Sequence, residues 1–204
     1  MAKKVTGIIK LQIPDSGSVV ICGEDIADID MKDLNEVRKK IGFLFQQGAL
    51  YDSMSLEENV AFPLTRHTSM APGDRQRHAR ELLAGVGLEK DFAKTPSQLS
   101  GGMQKRAALA RALALDPEIL LFDEPTSGLD PITAEEISHL IVELKQKRAI
   151  SAVVVTHDVH LAKIISDRMV LLHEGKIHAE GTYAELEKSE DKIVLQFLGD
   201  LCRR

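Results

Sequence analysis

The stretch LSGGMQKRAALARALALDPEILLFDEPTSGLD, residues 99–130, determines how the rest of this chain is interpreted. After Leu99 it has a serine and two glycines, and it continues as a segment rich in alanine and leucine that stops at Asp116-Pro117. Proline ends a helix because it lacks an N–H group and its ring clashes with the preceding turn. We therefore expect a helix that begins near Ser100 and ends before Pro117.

The four apolar residues ILLF at 119–122 follow this predicted helix. An uninterrupted apolar run of this length is typical of a strand that is covered on both faces of a parallel sheet. Asp123 and Glu124 come directly after it. Because α/β folds bind their ligands at the carboxyl ends of the strands, this pair of carboxylates is our candidate active centre.

The start of the predicted helix is a candidate anion site. Ser100 is a residue type that caps helices, and Gly101 and Gly102 leave the backbone N–H groups of the first turn accessible. These N–H groups lie at the positive end of the helix dipole. They therefore favour a negatively charged ligand such as a phosphate.

Taken together, these residues resemble three motifs of the ATP-binding cassette (ABC) ATPases. They are the signature motif at 99–103, the Walker B strand that ends in Asp123-Glu124, and the D-loop SGLD at 127–130. All three occur in the family's order and spacing, which is a more specific signal than any one of them. A purely structural interpretation, a capped helix packed on a core strand, explains neither the carboxylates nor the loop. The resemblance covers nearly the whole chain.

The resemblance implies an α/β fold of the P-loop NTPase type, with a mostly parallel core sheet flanked by helices. We expect residues 1–204 to form a single ABC ATPase domain, in which residues from about 59 to 114 are a helical sub-domain that carries the signature. Local patterns predict further elements. They are strands at 18–22, 41–45 and 152–155 (the last one buried), a helix over 31–39, a helix over 131–147 whose basic end is structural, a hairpin over 167–181, and a closing helix over 183–201.

The family assigns catalytic and metal-binding roles to four matching positions. Glu124 would polarise the attacking water and accept its proton, and Asp123 would hold Mg²⁺. Gln46 follows the strand at 41–45, in the position of the Q-loop glutamine, and would also contact the metal. His157 ends the strand at 152–155 and would contact the γ-phosphate of ATP. A lone glutamine or histidine is more often structural; here the position relative to the signature favours function.

Four more positions match residues that act between two cassettes. In the family, two cassettes face each other head to tail. Ser100, Gly101 and Gly102 would therefore close over a nucleotide bound to the second cassette, and Asp130 would act across the same interface.

The phosphate-binding loop G-x-x-x-x-G-K-[ST], the Walker A motif, does not occur in the 204 residues. In the family, the turn at 14–17 follows the helix that this loop opens, so we expect a chain truncated before or within the loop, without the first strand and the P-loop. Lys3 and Lys4 are no substitute, since no glycine precedes them. Loss of a single preorganised donor costs ~10²–10³ in rate. We therefore expect no hydrolysis at this chain's own site.

Composition restricts the partners and the location. Lys and Arg number 26 against 31 Asp and Glu, a net charge of −5, which disfavours nucleic acid as a partner. No apolar run is long enough to span a bilayer. Cys22 and Cys202 are too few for a disulfide framework. We expect a cytoplasmic protein that reaches the inner face of the cell membrane through a partner.

Within the family, the chain most resembles the ATPases of phospholipid-transport systems of the Mla/Mce type. The grounds are FQQGALY at 45–51, ENVAFPL at 58–64, and Met103 where most signatures carry glutamine. This implies ATP and Mg²⁺ as cofactors. It implies as partners a second ABC ATPase subunit (in a homo- or heterodimer), a membrane permease and an MCE-domain lipid-binding protein.

Two functions remain open at this point. The chain is either a nucleotide-binding subunit that couples ATP binding and hydrolysis to lipid transport, or a non-catalytic cassette that acts as a dimerisation or regulatory partner. A soluble ABC protein of repair or translation is disfavoured, because the chain has no second cassette and no long coiled coil.

Overall fold

The structure, a computed structural model, describes residues 8–199 of the chain. Within those residues, the strands form one parallel sheet and two antiparallel hairpins. The strands are β1 (Val20–Ile21), β2 (Glu24–Asp25), β3 (Ile41–Leu44), β4 (Ile119–Asp123), β5 (Ser151–Val155), β6 (Met169–His173) and β7 (Lys176–Gly181). The helices are α1 (Met31–Lys39), α2 (Leu56–His67), α3 (Pro72–Gly85), α4 (Gly101–Ala112), α5 (Pro131–Arg148), α6 (Val159–Ile165), α7 (Tyr183–Leu186) and α8 (Lys192–Gly199).

The parallel sheet has the strand order β3-β4-β5, so that β4 lies in the middle. Leu120, Leu121 and Phe122 are buried, as the sequence predicts for a strand covered on both faces. Both neighbours run parallel to β4 and in register with it. The three carboxyl ends therefore meet at one edge of the sheet, and that edge carries the candidate active centre.

The strand β5 differs from the prediction of a buried strand. In the described part of the chain it pairs with β4 alone, and Val153 is 43% exposed. The prediction was wrong because an apolar composition does not specify whether a strand is central or at an edge. Even so, β5 positions the residues that follow it beside the end of β4.

One hydrophobic cluster joins the sheet to the helices α2, α3, α4 and α5. The helix α4 approaches β3 so closely that a Cβ atom at Gly42 would lie 2.4 Å from the backbone oxygen of Ala112. The alanines at 107, 108 and 110 of α4 are fully buried, and their small side chains allow the helix to lie close to the sheet. The core therefore fixes α4 directly against the strand that leads to Gln46.

The two hairpins turn through two residues that both have positive φ. These values are 50° and 82° at Cys22 and Gly23, and 47° and 79° at Glu174 and Gly175. Positive φ at both central residues defines the type I′ turn, whose twist matches that of antiparallel strands. The hairpin predicted over 167–181 is confirmed.

The closing segment contains two helices where the sequence predicts one. The helices α7 and α8 are separated because the carboxylate of Asp191 accepts hydrogen bonds from the N–H groups of Ile193 (2.8 Å) and Val194 (3.2 Å), which starts a new helix. Residues 1–7 and 200–204, which include Lys3, Lys4 and Cys202, lie outside the described residues. Within residues 8–199, no helix is long and apolar enough to cross a membrane.

Candidate functional site

The two carboxylates of the candidate centre lie at the carboxyl end of β4 and are almost fully buried. Asp123 is the last residue of the strand and Glu124 the first beyond it. Glu124 has a φ of 51°, a left-handed conformation that residues other than glycine rarely adopt. Its N–H group donates to the carbonyl of Val155, the last residue of β5, at 2.9 Å. The chain thus turns sharply at Glu124 and is attached there to the neighbouring strand.

The Glu124 side chain is held by two residues that follow β5. One carboxylate oxygen shares a hydrogen bond with Nδ1 of His157 at 2.8 Å. The other oxygen accepts a bond from the hydroxyl of Thr156 at 3.3 Å. The His157 side chain is 70% exposed, while that of Glu124 is 8% exposed. The arrangement is a buried carboxylate able to accept a proton, next to an imidazole that faces solvent.

A buried lysine that the sequence analysis gave no role connects this centre to the loop after β3. Lys105 on α4 is 7% exposed, and its ammonium group donates to the backbone carbonyl of Gln46 and, at 3.4 Å, to that of Glu124. Burial lowers the pKa of Lys105, and the charges of Glu124 and Asp123 oppose that effect. A signal was present in the sequence, because Lys105 shares the apolar face of α4 with Leu109, and a charge on such a face requires a partner.

The loop after β3 is held by a second cation from the same helix. The guanidinium of Arg111 donates to the carbonyls of Gly48 (2.8 Å) and Ala49 (2.7 Å), both of which have positive φ. The side chain of Gln46, by contrast, is exposed. The loop therefore has a fixed backbone and presents the Gln46 amide to solvent.

A cleft of about 430 Å³ lies between this loop, the beginning of α4 and the loop after β4. Of the predicted site residues, Gln46 and Gly101 line it; Ser100, Gly102, Asp123, Glu124, Asp130 and His157 do not. A second cleft, of about 510 Å³, lies along α3 and contains none of the predicted residues. The first cleft is lined by Gln46, Gln47, Gly48, Gly101, Gln104, Lys105, Ser127, Gly128 and Leu129.

The beginning of α4 has the expected cap. The hydroxyl of Ser100 accepts a hydrogen bond from the N–H group of Met103 at 3.3 Å. A Cβ atom at Gly102 would lie 2.5 Å from the methyl group of Thr133. A side chain at position 102 would therefore force Thr133 to shift where α4 packs on α5, which favours glycine for a reason that is independent of any ligand. Gly101 is exposed, and the N–H groups of Gly101 and Gly102 come too early in the helix to have an acceptor in a preceding turn.

Asp130 is exposed and caps the helix α5. Its carboxylate accepts a hydrogen bond from the N–H group of Thr133 at 3.0 Å. Hydrogen bonds from Thr133 lower the pKa of Asp130. The hydrogen bonds at the start of α5 therefore favour the negatively charged form of Asp130.

The metal-ligating oxygens at this edge of the sheet are few, which suits Mg²⁺ better than a metal ion that is coordinated by side chains alone. Within residues 8–199, no group of three or more His, Cys, Asp or Glu side chains could hold a metal ion. Magnesium usually takes one or two carboxylates and completes its shell with water and phosphate oxygens. Asp123 supplies a carboxylate, and Gln46 follows the adjacent strand with an amide oxygen. This donor set suits a nucleotide-bound magnesium ion.

A comparison with protein families identifies the group to which these features belong. The model of the ABC transporter family matches residues 5–127, more than half of the chain. This chain belongs to the ABC transporter family. The resemblance described from the motifs is thereby confirmed.

Curated relatives of this ABC family member carry the names of ATP-binding transport proteins. The chain is 42% identical over 186 residues to the intermembrane phospholipid transport system ATP-binding protein MlaF of Haemophilus influenzae. The aligned region covers 91% of this chain and 70% of the relative. It is 41% identical over 196 residues to the probable ribonucleotide transport ATP-binding protein mkl of Mycobacterium tuberculosis, which covers 96% of the chain. The chain spans about half the length of that relative, 54%.

A solved structure supports the same assignment and confirms the α/β fold. The ATP-binding cassette MJ0796, a dimer in a post-hydrolysis state bound to ADP and Pi, superposes with a TM-score of 0.79 at 38% sequence identity. The match covers 89% of this chain and 79% of that one. The predicted parallel core sheet flanked by helices is thus the sheet of an ABC cassette.

Proposed function

We propose that this chain is the ATP-binding subunit of a transporter that moves a phospholipid, and that ATP and Mg²⁺ are its cofactors. The observation that carries the proposal is the buried carboxylate of Glu124, held between His157 and Thr156 at the carboxyl edge of the parallel sheet. Membership of the ABC family and the name of the MlaF relative support it. The helices α2, α3 and α4 form the helical sub-domain in this proposal.

Glu124 acts as the general base toward the attacking water. A candidate base must lie within hydrogen-bond reach of the proton that it accepts, with its own position fixed. Thr156 and His157 orient the two carboxylate oxygens, and burial excludes competing water. His157 exposes its second ring nitrogen to solvent, where it contacts the γ-phosphate. Asp123 and Gln46 would hold Mg²⁺, and the bound ion would supply positive charge next to the phosphates.

The beginning of α4 and the loop after β4 act toward a second cassette. The free first-turn N–H groups at Gly101 and Gly102, with the hydroxyl of Ser100, bind the nucleotide of the partner. Asp130 works across the same interface. The dimeric state of the similar cassette MJ0796 supports this arrangement.

The remaining partners follow from the phospholipid-transport proposal. They are a membrane permease, through which the chain binds to the inner face of the membrane, and an MCE-domain lipid-binding protein. Phospholipid is preferred to the ribonucleotide in the name of the mkl relative because the chain covers 70% of MlaF and 54% of mkl. In vesicles that contain the permease and this subunit, we therefore expect ATP-dependent transport of a labelled phospholipid and no transport of a labelled ribonucleotide.

A second candidate is a non-catalytic cassette, and the absence of G-x-x-x-x-G-K-[ST] from the 204 residues favours it for this chain by itself. That loop supplies several backbone donors and a lysine to the phosphates. Loss of even one preorganised donor lowers the rate by ~10²–10³. We propose that the 204-residue chain alone does not hydrolyse ATP at its own site.

The direct test is ATP turnover by the purified 204-residue chain. We expect none above background. Turnover that disappears in Glu124→Gln would overturn the proposed inactivity and identify Glu124 as the base.

A mixing experiment tests the contribution to a partner's site. An ABC cassette with an intact phosphate-binding loop, but with its own signature serine replaced, should be inactive alone. Addition of this chain should restore turnover, and Ser100→Arg should abolish the restoration because the longer side chain blocks the beginning of α4. Failure of the unmodified chain to restore turnover, although the mixed dimer forms, would contradict the proposed role of the signature.

A further inference from the structure

We propose that Lys105 is a positioning residue that fixes the backbone of Gln46 and of Glu124 relative to α4. The inference rests on the proposed function, because that function gives Gln46 and Glu124 their roles toward the metal and the water. Lys105 itself does not contact a reacting atom. It acts through two carbonyl groups that follow neighbouring strands.

The burial of Lys105 is the first argument. A buried ammonium is unfavourable unless polar partners replace its hydration. Within residues 8–199, both hydrogen-bond acceptors of Lys105 are backbone carbonyls. Burial lowers the pKa of Lys105 and the charges of Glu124 and Asp123 oppose that effect, but its hydrogen bonds go to the backbone. This lysine holds two loops that are 59 and 19 residues away in the sequence.

The conformation of Glu124 is the second argument. Its left-handed backbone is unfavourable and persists only where the surroundings determine it. Its N–H group is bonded to Val155, and its carbonyl accepts both the ammonium of Lys105 and the N–H group of Ser127 (3.2 Å). Lys105 is thus one of three contacts that hold the backbone of the proposed base in this conformation.

The location of Lys105 on α4 is the third argument. Gly101 and Lys105 are four residues apart, so they share one face of the helix, and both line the 430 Å³ cleft. A displacement of the beginning of α4 would therefore move the ammonium against Gln46 and Glu124. This gives the helix that contacts the partner's nucleotide a direct connection to this chain's own metal and base residues.

Hydrogen exchange of single backbone amides, measured by NMR on the whole chain without nucleotide, tests this connection. Three amides report on it through hydrogen bonds next to the lysine: Gly48 to the carbonyl of Phe45, Glu124 to Val155, and Ser127 to Glu124. In Lys105→Met, these amides should exchange about tenfold to a hundredfold faster, since a hydrogen bond to a charged group is lost at each loop. Lys105→Arg, which keeps a cation with several donors, should restore most of the protection.

Two cations on the same helix provide matched controls. Arg106 donates to Val86 and Glu136, away from both loops, so Arg106→Met should leave the three reporter amides unchanged. Arg111 donates to the carbonyls of Gly48 and Ala49 and not to Glu124, so Arg111→Met should accelerate Gly48 and leave Glu124 and Ser127 protected.

The proposal is overturned if Lys105→Met leaves the three amides unchanged, or if it accelerates all core amides equally, which a general loss of stability would produce. If Lys105→Met does not fold, Lys105→Gln replaces it: loss of the charge should still accelerate the same three amides selectively, by a smaller factor, and unchanged exchange would overturn the proposal. A selective effect on the three amides, combined with no restoration of turnover in the mixing experiment, would leave the positioning role intact and contradict the proposed function, so the two failures are distinguishable.

Discussion

The helices α4 and α5 both carry basic residues and pack against the same core, but they use these residues differently. On α4, Lys105 and Arg111 turn inward and donate to backbone carbonyls of loops. On α5, the basic residues are at the carboxyl end and pair with carboxylates. These pairs are Lys145 with Asp167, Lys147 with Glu143 and Arg148 with Asp116.

The α4 cations hold the backbone of loops next to the candidate site, whereas the α5 cations form ion pairs on the surface. The α5 residues complement the negative end of the helix dipole, as their position in the sequence predicts. Lys105 interrupts an apolar face of α4, where its charge has little water and must find acceptors in the protein. Arg111 lies in the last turn of α4, but it also donates to a loop rather than to a carboxylate. The partner of a basic residue, a loop carbonyl or a surface carboxylate, therefore distinguishes the two helices.

The largest expected loss of stability comes from Gly42→Ala, which would push α4 away from the sheet. A Cβ atom in Gly42→Ala would meet the backbone of Ala112 at 2.4 Å and the side chain of Leu120 at 2.6 Å, so the helix must move. Overpacking of this kind costs 1–3 kcal/mol and sometimes more, and we expect about 3 kcal/mol in denaturant unfolding because a backbone atom cannot rotate away. Gly85→Ala, which meets nothing within 4 Å, is the control; an equal loss there would contradict the close contact.

The next effect compares one lysine from each helix. Lys105→Ala removes the ammonium donor from the carbonyls of Gln46 and Glu124 and should lower the free energy of unfolding by about 2 kcal/mol. Lys147→Ala removes an exposed pair four residues apart on α5 and should change it by only about 0.3–0.5 kcal/mol. Urea unfolding of both variants measures the contrast. Equal losses would mean that the inward and outward cations do not differ.

A smaller effect concerns the start of α4. Ser100→Ala removes the hydroxyl that accepts the N–H group of Met103, and should lower stability by about 1 kcal/mol. Ser100→Asp restores an acceptor and should recover most of the loss. If neither substitution changes the thermal midpoint, the cap does not contribute to stability, and the proposed contact with nucleotide is the remaining role of Ser100.

The smallest effect distinguishes the two caps by pH. Hydrogen bonds hold the pKa of Asp130 below its ordinary value, so its contribution to stability is present above that ordinary value and is lost as the pH falls through the lower pKa of the folded state. Ser100 does not titrate. Asp130→Asn should therefore reduce the acid dependence of the thermal midpoint below about pH 4, and Ser100→Ala should leave it unchanged. Identical acid dependence in the parent chain and Asp130→Asn would contradict this.

Much of the fold could be predicted because the decisive signals are local. The helix α1 was predicted over residues 31–39, and the structure has it at Met31–Lys39. The strand β4 follows from its apolar run, and the cap at Ser100 from a residue type that bonds its own helix. These elements depend on residues within a few positions of one another. The predicted roles of Gln46, Ser100, Gly101, Gly102, Asp123, Glu124, Asp130 and His157 remain predictions.

Other features could not be read from local patterns. The apolar run of β5 did not reveal that the strand lies at an edge, and the segment over 183–201 did not reveal the new helix that Asp191 starts. In the first case, the number of neighbouring strands decides exposure. In the second, one carboxylate interrupts an otherwise amphipathic pattern.

The sequence by itself determined the family, the parallel strand with its two carboxylates, and the helix that begins with the signature, because motif order and apolar periodicity are properties of the chain alone. Only the tertiary structure decided that Lys105 donates to Gln46 and Glu124, and that Glu124 shares a hydrogen bond with His157. These partners are 19 to 59 residues apart in the sequence. Their pairing depends on how strands end at a common edge and how closely α4 packs on β3, which no local pattern encodes.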